Sequence, residues 1–136
     1  NSLSKTMGTA DYIISMSEGF LTPALLPAII FVISAIMAFA TGSSWGTFAI
    51  CMPIALPLAF TFTGGELGTL VYACFGAVAG GGVFGDHCSP LSDTTVLSST
   101  GSASDHIDHV QTQLPYALCC GALAIIVYLI IGFTSL

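Results

Sequence analysis

Apolar stretches long enough to cross a bilayer alternate with short polar segments along this chain. No formally charged residue lies between Gly19 and Gly65, and this stretch is too long for one membrane span and about right for two. A third apolar stretch precedes the densest polar run of the sequence, and a fourth ends the chain. The pattern predicts an all-α, polytopic membrane protein with spans at about residues 20–39, 47–63, 67–84 and 114–136.

The first polar segment, residues 40–46, joins the first two predicted spans with hydroxyl groups and glycines but no charge. Gly42 and Gly46 free the backbone from helical angles. This composition favours a broken helix that is unwound inside the protein at membrane depth, although a tight surface turn would have a similar sequence. A second break is expected at Gly80–Gly82, because three consecutive glycines weaken a helix.

The composition supports a lipid environment. Hydrophobic residues make up 54% of the chain and charged residues 6%, whereas soluble domains carry roughly 25% charged residues. Lys5 is the only basic residue, so loop charges predict no membrane orientation, and nucleic-acid binding is not expected because it requires clustered Lys and Arg. Residues 1–18 are expected to form a loop followed by a short interfacial or re-entrant helix. Since the chain begins with Asn1 and shows no signal peptide, we expect one part of a larger transporter.

The second polar segment, residues 85–95, carries the candidate chemistry. It holds two carboxylates, an imidazole and several hydroxyls beside apolar stretches, where ionisable groups are costly unless they face a cavity or a partner. If the segment is helical, Asp86, Ser89 and Asp93 share one face at i, i+3 and i+7. If it is unwound, freed backbone carbonyls join them. Either arrangement offers hard oxygen ligands, which suit Na⁺ better than zinc. A hydrated loop at the membrane interface is the alternative.

A carboxylate shielded from water can hold a proton or a sodium ion but poorly both, because desolvation disfavours the charged form. This competition is the simplest physical basis for antiport. Asp93 and Asp86 are therefore the candidate Na⁺ ligands, and His87 together with Asp86 is the candidate proton relay. A further polar stretch, residues 105–109, could bind a metal or sense pH, but a surface turn that feeds the last helix is the preferred interpretation.

Three long motifs carry a resemblance to a known family. They are residues 40–47 (ATGSSWGT), residues 85–95 (GDHCSPLSDTT) and residues 105–116 (DHIDHVQTQLPY). In their order and spacing they resemble the NhaC-type sodium/proton antiporters, which belong to a larger ion-transporter superfamily. The match runs from about Asp11 to the C-terminus.

The resemblance implies a multi-pass, all-helical protein of the cell (inner) membrane, built from two inverted repeats whose broken or re-entrant helices meet at the midplane. This chain resembles the C-terminal repeat, so the N-terminal repeat would be its missing partner. The resemblance further implies that carboxylates, hydroxyls and backbone bind the ion at the helix breaks. The positions carried over are Asp86, Ser89, Asp93, Thr94, Thr41, Ser43, Ser44 and Thr47. Trp45 would pack against the site or gate it.

The implied function is exchange of Na⁺ for H⁺ across the membrane, with no cofactor beyond the transported ions. The lipid bilayer would surround the protein, and a homodimer is one assembly to consider. Two other functions stay open: a Na⁺- or H⁺-coupled exchanger of small organic anions of the malate/lactate type, and a non-transporting membrane scaffold subunit. The lack of a basic residue near the motifs counts slightly against an anion site. An enzyme is not expected, because no pair of nucleophile and base stands out.

Overall fold

The computed structural model describes residues 22–135, which form five α-helices. Their bounds are Leu26–Thr41 (α1), Ser44–Phe62 (α2), Thr69–Cys88 (α3), Asp93–Gly101 (α4) and His106–Thr134 (α5). This part of the chain contains no strand, and α2, α3 and α5 are each long and apolar enough to cross a membrane. The predicted all-α membrane class is therefore confirmed. The helix expected within residues 1–18 lies outside the described residues.

The two predicted polar segments contain helix breaks, but the breaks are shorter than the segments. The first break consists of Gly42 and Ser43, between α1 and α2, and the second consists of residues 89–92, between α3 and α4. We call these the first break and the second break. Of the two alternatives for residues 85–95, the structure has the unwound one, because α3 ends before Ser89 and a new helix starts at Asp93.

The last helix begins at His106 and not at residue 114. The Asp105 carboxylate accepts hydrogen bonds from the backbone N–H groups of Ile107 and Asp108 at 2.9 and 3.2 Å, so it caps the helix at this earlier position. The polar residues that follow Asp105 are therefore the first turns of α5 and not a turn that precedes it.

The expected break at Gly80–Gly82 is wrong, because α3 continues through these residues to its end at position 88. A Cβ atom on Gly81 would meet the carbonyl oxygen of Phe31 in α1, and one on Gly82 would meet the ring of Phe48 in α2. The glycines thus let neighbouring helices approach closely, and this packing offsets their low helix propensity.

α1 and α3 run parallel to each other. Gly81 packs against Ser34 and Gly85 packs against Ala38, so the contacts advance in the same direction along both helices. Both helices therefore finish on the same side of the bundle. We call this side the break end, because both breaks lie there.

α5 runs antiparallel to α1 and α3. Gly121 contacts Phe84, and Tyr128, two turns further along α5, contacts Gly80, which lies further from the break end. The ring of Phe31 lies 5.9 Å from that of Phe84 and 5.4 Å from that of Tyr128, centroid to centroid, and this aromatic group fills the space between the three helices. The starts of α2, α4 and α5 thus lie at the break end together with the ends of α1 and α3.

Candidate functional site

The two breaks contact each other at the break end. Gly42 has a φ angle of 64°, in the left-handed region that favours glycine. A Cβ atom at Gly42 would also lie 2.7 Å from the carbonyl carbon and oxygen of Leu91 in the second break. A larger residue at this position would therefore strain the backbone and push the two breaks apart.

Ser89 links the two breaks through its hydroxyl group. The residue is fully buried, and its Oγ donates a hydrogen bond to the carbonyl oxygen of Phe39, in the last turn of α1, at 2.7 Å. The same oxygen accepts a hydrogen bond from the backbone N–H of Leu91 at 3.1 Å. These hydrogen bonds hold the C-terminus of α1 against the second break, which directly follows the C-terminus of α3.

Asp86 lies half-buried in the last turn of α3, three residues before this link. Its Oδ1 accepts a hydrogen bond from Ser92 Oγ at 2.6 Å, and Ser92 is fully buried. Ser92 Oγ also accepts a hydrogen bond from the backbone N–H of Thr94 at 3.2 Å, which caps the start of α4. The Thr94 Oγ1 atom lies 2.7 Å from the same Ser92 oxygen. A carboxylate and two hydroxyls thus form one network, which we call the Asp86 network.

The Asp86 network offers the chemistry that a hard monovalent cation requires. Its polar side-chain atoms are all oxygens, and unwound backbone of the second break lies beside them. Asp86 also sits in the last turn of α3, where the carbonyl groups of a helix carry partial negative charge. The arrangement therefore suits a cation or a proton at Asp86 and not an anion.

Three hydroxyl groups in and beside the first break form hydrogen bonds at the ends of α1 and α2. Ser43 Oγ accepts a hydrogen bond from the Gly46 N–H at 3.2 Å and caps α2, while the buried Thr47 donates to the Ser43 carbonyl at 3.0 Å. Thr41 donates at 2.8 Å to a carbonyl one turn earlier in α1. Among residues 22–135, no hydrogen bond joins these three side chains to the Asp86 network. The first break lies next to the second one, but its hydroxyls already have partners.

Three further predicted residues lie apart from the Asp86 network. Asp93 is exposed at the start of α4, and Ser44 is half-buried at the start of α2. Neither side chain forms a hydrogen bond with another residue of the described part of the chain. Trp45 is 81% exposed and packs edge-on against Phe48, with ring centroids 6.0 Å apart. The structure therefore places Asp86, Ser89 and Thr94 close together at the second break, whereas the carboxylate of Asp93 is exposed and lies apart from the Asp86 network.

A polar cleft of about 210 Å³ adjoins the Asp86 network, and we call it the histidine cleft. Its lining side chains come from α3, α4 and α5: His87, Thr94, Thr95, Ser98, His109 and Gln113. The carbonyl oxygen of His87 accepts hydrogen bonds from Gln113 Nε2 at 2.8 Å and from Thr95 Oγ1 at 3.3 Å, so α4 and α5 are both tied to the end of α3.

Sequence reasoning selected two residues of the histidine cleft, His87 and Thr94, and considered His109 only within the stretch 105–109 that could bind a metal or sense pH, but it missed Gln113. His109 and Gln113 are spaced i, i+4 and so lie on one face of α5. That spacing was the signal that could have joined Gln113 to His109, provided that the helix had been predicted to begin before residue 109.

His106 holds the second break from the side of α5. Its Nε2 lies 2.8 Å from the carbonyl oxygen of Pro90, and since a carbonyl only accepts, this nitrogen donates. Its Nδ1 lies 3.1 Å from Ser99 Oγ. Within residues 22–135 no group of three or more His, Cys, Asp or Glu side chains could hold a metal ion. A metal site at residues 105–109 therefore has no support in the described part of the chain.

Comparison with known proteins identifies the family. The profile of the Na⁺/H⁺ antiporter family matches residues 1–133. The chain belongs to the Na⁺/H⁺ antiporter family. Both breaks, the Asp86 network and the histidine cleft lie within the matched residues. No solved structure matches this family member.

Relatives of this antiporter-family chain carry several substrates in their names. It is 48% identical over 134 residues to an uncharacterized protein of Haemophilus influenzae. It is 35% identical over 128 residues to the arginine/ornithine antiporter ArcD of Halobacterium salinarum, and 32% identical over 126 residues to the malate-2H⁺/Na⁺-lactate antiporter of Bacillus subtilis. The three alignments cover 98%, 94% and 93% of this chain but 25%, 25% and 26% of the relatives, so the chain spans about a quarter of their length. The family and its named relatives are antiporters, and nothing in these matches indicates an enzyme.

Proposed function

We propose that the protein exchanges Na⁺ for H⁺ across the cell (inner) membrane, and that the Asp86 carboxylate is the group for which the two ions compete. One observation carries this proposal: a half-buried carboxylate lies where two unwound breaks meet, with a hydroxyl 2.6 Å from one of its oxygens. Na⁺ would bind the ionised carboxylate together with the Ser92 hydroxyl and backbone oxygens, and a proton would bind the same carboxylate in its place.

The buried surroundings of the network support this competition. Ser89 and Ser92 are both fully buried, so water has restricted access to the side of Asp86 that faces the second break. A cation at this position exchanges its water ligands for protein oxygens, and a carboxylate deprived of water favours either a proton or a cation partner. Occupation by one ion therefore displaces the other.

We further propose that the chain is the C-terminal repeat of an NhaC-type antiporter, and that an inverted N-terminal repeat completes the cation site. The motifs at residues 40–47, 85–95 and 105–116 support this subtype. The coverage of the relatives is in keeping with the idea, because about three quarters of their length lies outside the aligned part. Asp93, Ser44, Thr41, Ser43 and Thr47 stay predicted ligands, which the other repeat would have to help assemble.

A second candidate function is the coupled exchange of small organic ions. The observation in its favour is that two relatives of similar coverage are named for amino acids or for malate and lactate. Against an anion at the Asp86 network stands the carboxylate itself, because the site would place two negative charges side by side. An organic anion would then need a separate binding surface.

The test is a pH-gradient assay on everted membrane vesicles that contain the complete protein. Na⁺, Li⁺, K⁺ and malate are added in turn, and the wild-type protein is expected to move protons in response to Na⁺. Asp86→Asn keeps the size of the side chain but removes its charge, so it is expected to abolish this response while membrane insertion continues. Asp93→Asn tests the exposed carboxylate that stays a predicted ligand, and Glu66→Gln, which removes an exposed charge between α2 and α3 at the other end of these helices, is the matched control for charge.

Three results would contradict parts of this proposal. Full Na⁺-driven proton movement in Asp86→Asn would remove Asp86 from the site. Loss of activity in Asp93→Asn but not in Asp86→Asn would move the site to the start of α4. A response to malate but not to Na⁺ would replace the proposed function by the second candidate.

A further inference from the structure

We propose that Ser92 and Thr94 form a hydroxyl relay that carries protons between Asp86 and the histidine cleft, with His109 at the outer end of the path. The proposal rests on the function proposed above and adds the route that the proton takes. It also gives Thr94 a different role from the cation ligand that the family resemblance implies.

The donor directions in the network define the relay. A serine hydroxyl has one proton to give, and Ser92 Oγ gives it to Asp86 Oδ1 at 2.6 Å. The 2.7 Å contact between Ser92 Oγ and Thr94 Oγ1 must then be donated by Thr94. Both hydroxyl protons therefore point towards the carboxylate when Asp86 is ionised. Each oxygen–oxygen distance lies within the range over which proton transfer is efficient.

The proton step balances without any further reactant. A hydronium ion or a protonated imidazole in the cleft gives a proton to Thr94 Oγ1, Thr94 gives its own hydroxyl proton to Ser92 Oγ, and Ser92 gives its own to Asp86 Oδ1. Each hydroxyl breaks one O–H bond and forms another, so both end the step neutral. The donor in the cleft loses its positive charge and Asp86 loses its negative charge. Rotation of the two hydroxyls then resets the relay, and reversal of the step releases the proton.

The histidine cleft provides the outer end of this path. Thr94 belongs to both the Asp86 network and the cleft lining, so the relay opens directly into the cleft. The exposed His87 and the half-buried His109 line the same space, and imidazoles exchange protons readily near neutral pH. His106 is a poorer candidate, because both of its ring nitrogens are within hydrogen-bonding distance of partners, the Pro90 carbonyl and Ser99.

The charged and titratable side chains around the cleft come from all three helices that form it. They are Asp86 and His87 on α3, Asp93 on α4, and Asp105, His106, Asp108 and His109 at the start of α5. No Lys or Arg residue belongs to this part of the chain, since Lys5 is the only one in the sequence.

The two roles for Thr94 differ in what happens when its hydroxyl is removed. A cation ligand contributes to Na⁺ binding, so its loss weakens every mode of Na⁺ transport and raises the half-saturating Na⁺ concentration. A proton relay contributes only to modes in which Asp86 is protonated or deprotonated. Exchange of Na⁺ on one side for Na⁺ on the other needs no proton at all, and it therefore separates the two roles.

The experiment uses the complete protein in vesicles and measures Na⁺/H⁺ exchange and ²²Na⁺/Na⁺ exchange side by side. Thr94→Val replaces the hydroxyl by a methyl group of similar size, and Thr94→Ser restores the hydroxyl. Thr100→Val makes the same chemical change at an exposed position on the same helix and is the matched control. His109→Gln tests the outer end of the path.

We expect Thr94→Val to slow Na⁺/H⁺ exchange about a hundredfold or more, the lower end of the range for a lost proton-transfer group. Its ²²Na⁺/Na⁺ exchange and half-saturating Na⁺ concentration should stay at the wild-type values, Thr94→Ser should recover most of the rate, and His109→Gln should slow only the proton-coupled mode. Equal loss of both modes in Thr94→Val, or normal Na⁺/H⁺ exchange, would overturn the relay.

The same measurements separate the relay from the proposed function. If the wild-type protein exchanges Na⁺ for H⁺ and Asp86→Asn does not, but Thr94→Val behaves like the wild type, only the relay fails. If the wild-type protein moves no protons in response to Na⁺, the proposed function fails, and the relay fails with it.

Discussion

Substitution of Gly85 by alanine tests the parallel packing that brings the two breaks together. A Cβ atom at this position would meet the carbonyl oxygen of Ala35, lie 2.7 Å from the backbone nitrogen of Phe39 and lie 2.8 Å from Ala38 Cβ. Non-bonded carbon atoms prefer about 3.5–4.0 Å, so the end of α1 would have to move away from α3 by about 1 Å. The Phe39 carbonyl that receives the Ser89 hydrogen bond lies on this same turn of α1.

The magnitude follows from two opposing terms. Overpacking of a tight contact costs about 1–3 kcal/mol, and alanine recovers up to about 1 kcal/mol over glycine in a helix interior. Gly76→Ala is the matched control on the same helix, because its Cβ would meet only Tyr128 Oη at 3.5 Å, an ordinary contact. Relief of the glycine penalty without overpacking should stabilise that variant. The gain in helix propensity is common to both variants, so they should differ in stability by the overpacking term alone, about 1–3 kcal/mol.

The assay is thermal unfolding of the complete protein in detergent or lipid, together with Na⁺/H⁺ exchange in vesicles. Gly85→Ala should unfold at a lower temperature than the wild type and lose exchange activity, whereas Gly76→Ala should unfold at the same or a higher temperature and remain active. Equal stability and equal activity of the two variants would refute the close contact of α1 with α3 at Gly85. The contact between the two breaks, which depends on that packing, would be refuted with it.

Three smaller predictions use the same unfolding assay. Ser89→Ala leaves the Phe39 carbonyl without its hydroxyl partner and should cost about 1–3 kcal/mol, while unchanged stability would mean that the link between the breaks contributes nothing. His106→Leu removes the donor to the Pro90 carbonyl and should also destabilise the protein. His106→Gln retains an N–H donor and should destabilise it less. Equal effects of the two substitutions would argue against this hydrogen bond. Ser34→Ala removes a buried hydroxyl that has no hydrogen-bond partner among residues 22–135. It should therefore leave the stability unchanged or raise it by about 1 kcal/mol. A clear loss of stability would show that this hydroxyl has a partner in the complete protein.

The amino-acid sequence was sufficient to predict the fold class and the regions that contain the breaks. Long uncharged apolar runs predict membrane helices, because the backbone N–H and C=O groups of a segment in lipid must find their hydrogen-bond partners within that segment. The positions of Gly42 and of the polar run after residue 85 located both breaks for the same reason, since unwound backbone requires glycine or local polar partners. These features depend on neighbours in the sequence, which is why the sequence alone reveals them.

Other features depend on partners that are distant in the sequence, and these were missed. The glycines at 80–82 weaken an isolated helix, but α1 and α2 pack directly against them and keep α3 continuous. Asp93 and Asp86 are equally plausible ligands in the sequence, and only the fold half-buries one while exposing the other. The histidine cleft likewise needs α3, α4 and α5 in place before His109 and Thr94 line the same space.

The charges at the break end favour Asp86 as the group that binds the cation or proton of the proposed exchange. Two helix ends contribute about half a negative elementary charge each and three helix starts contribute about half a positive charge each, so together they leave about half a positive charge at this end. The start of α5 is further matched by the carboxylates of Asp105 and Asp108. Among residues 22–135 Asp86 has no Lys or Arg partner, because Lys5 is the only Lys or Arg of the sequence. A carboxylate without a fixed partner draws its compensating charge from a mobile ion, and a proton and a sodium ion are the two that the proposed exchange would supply.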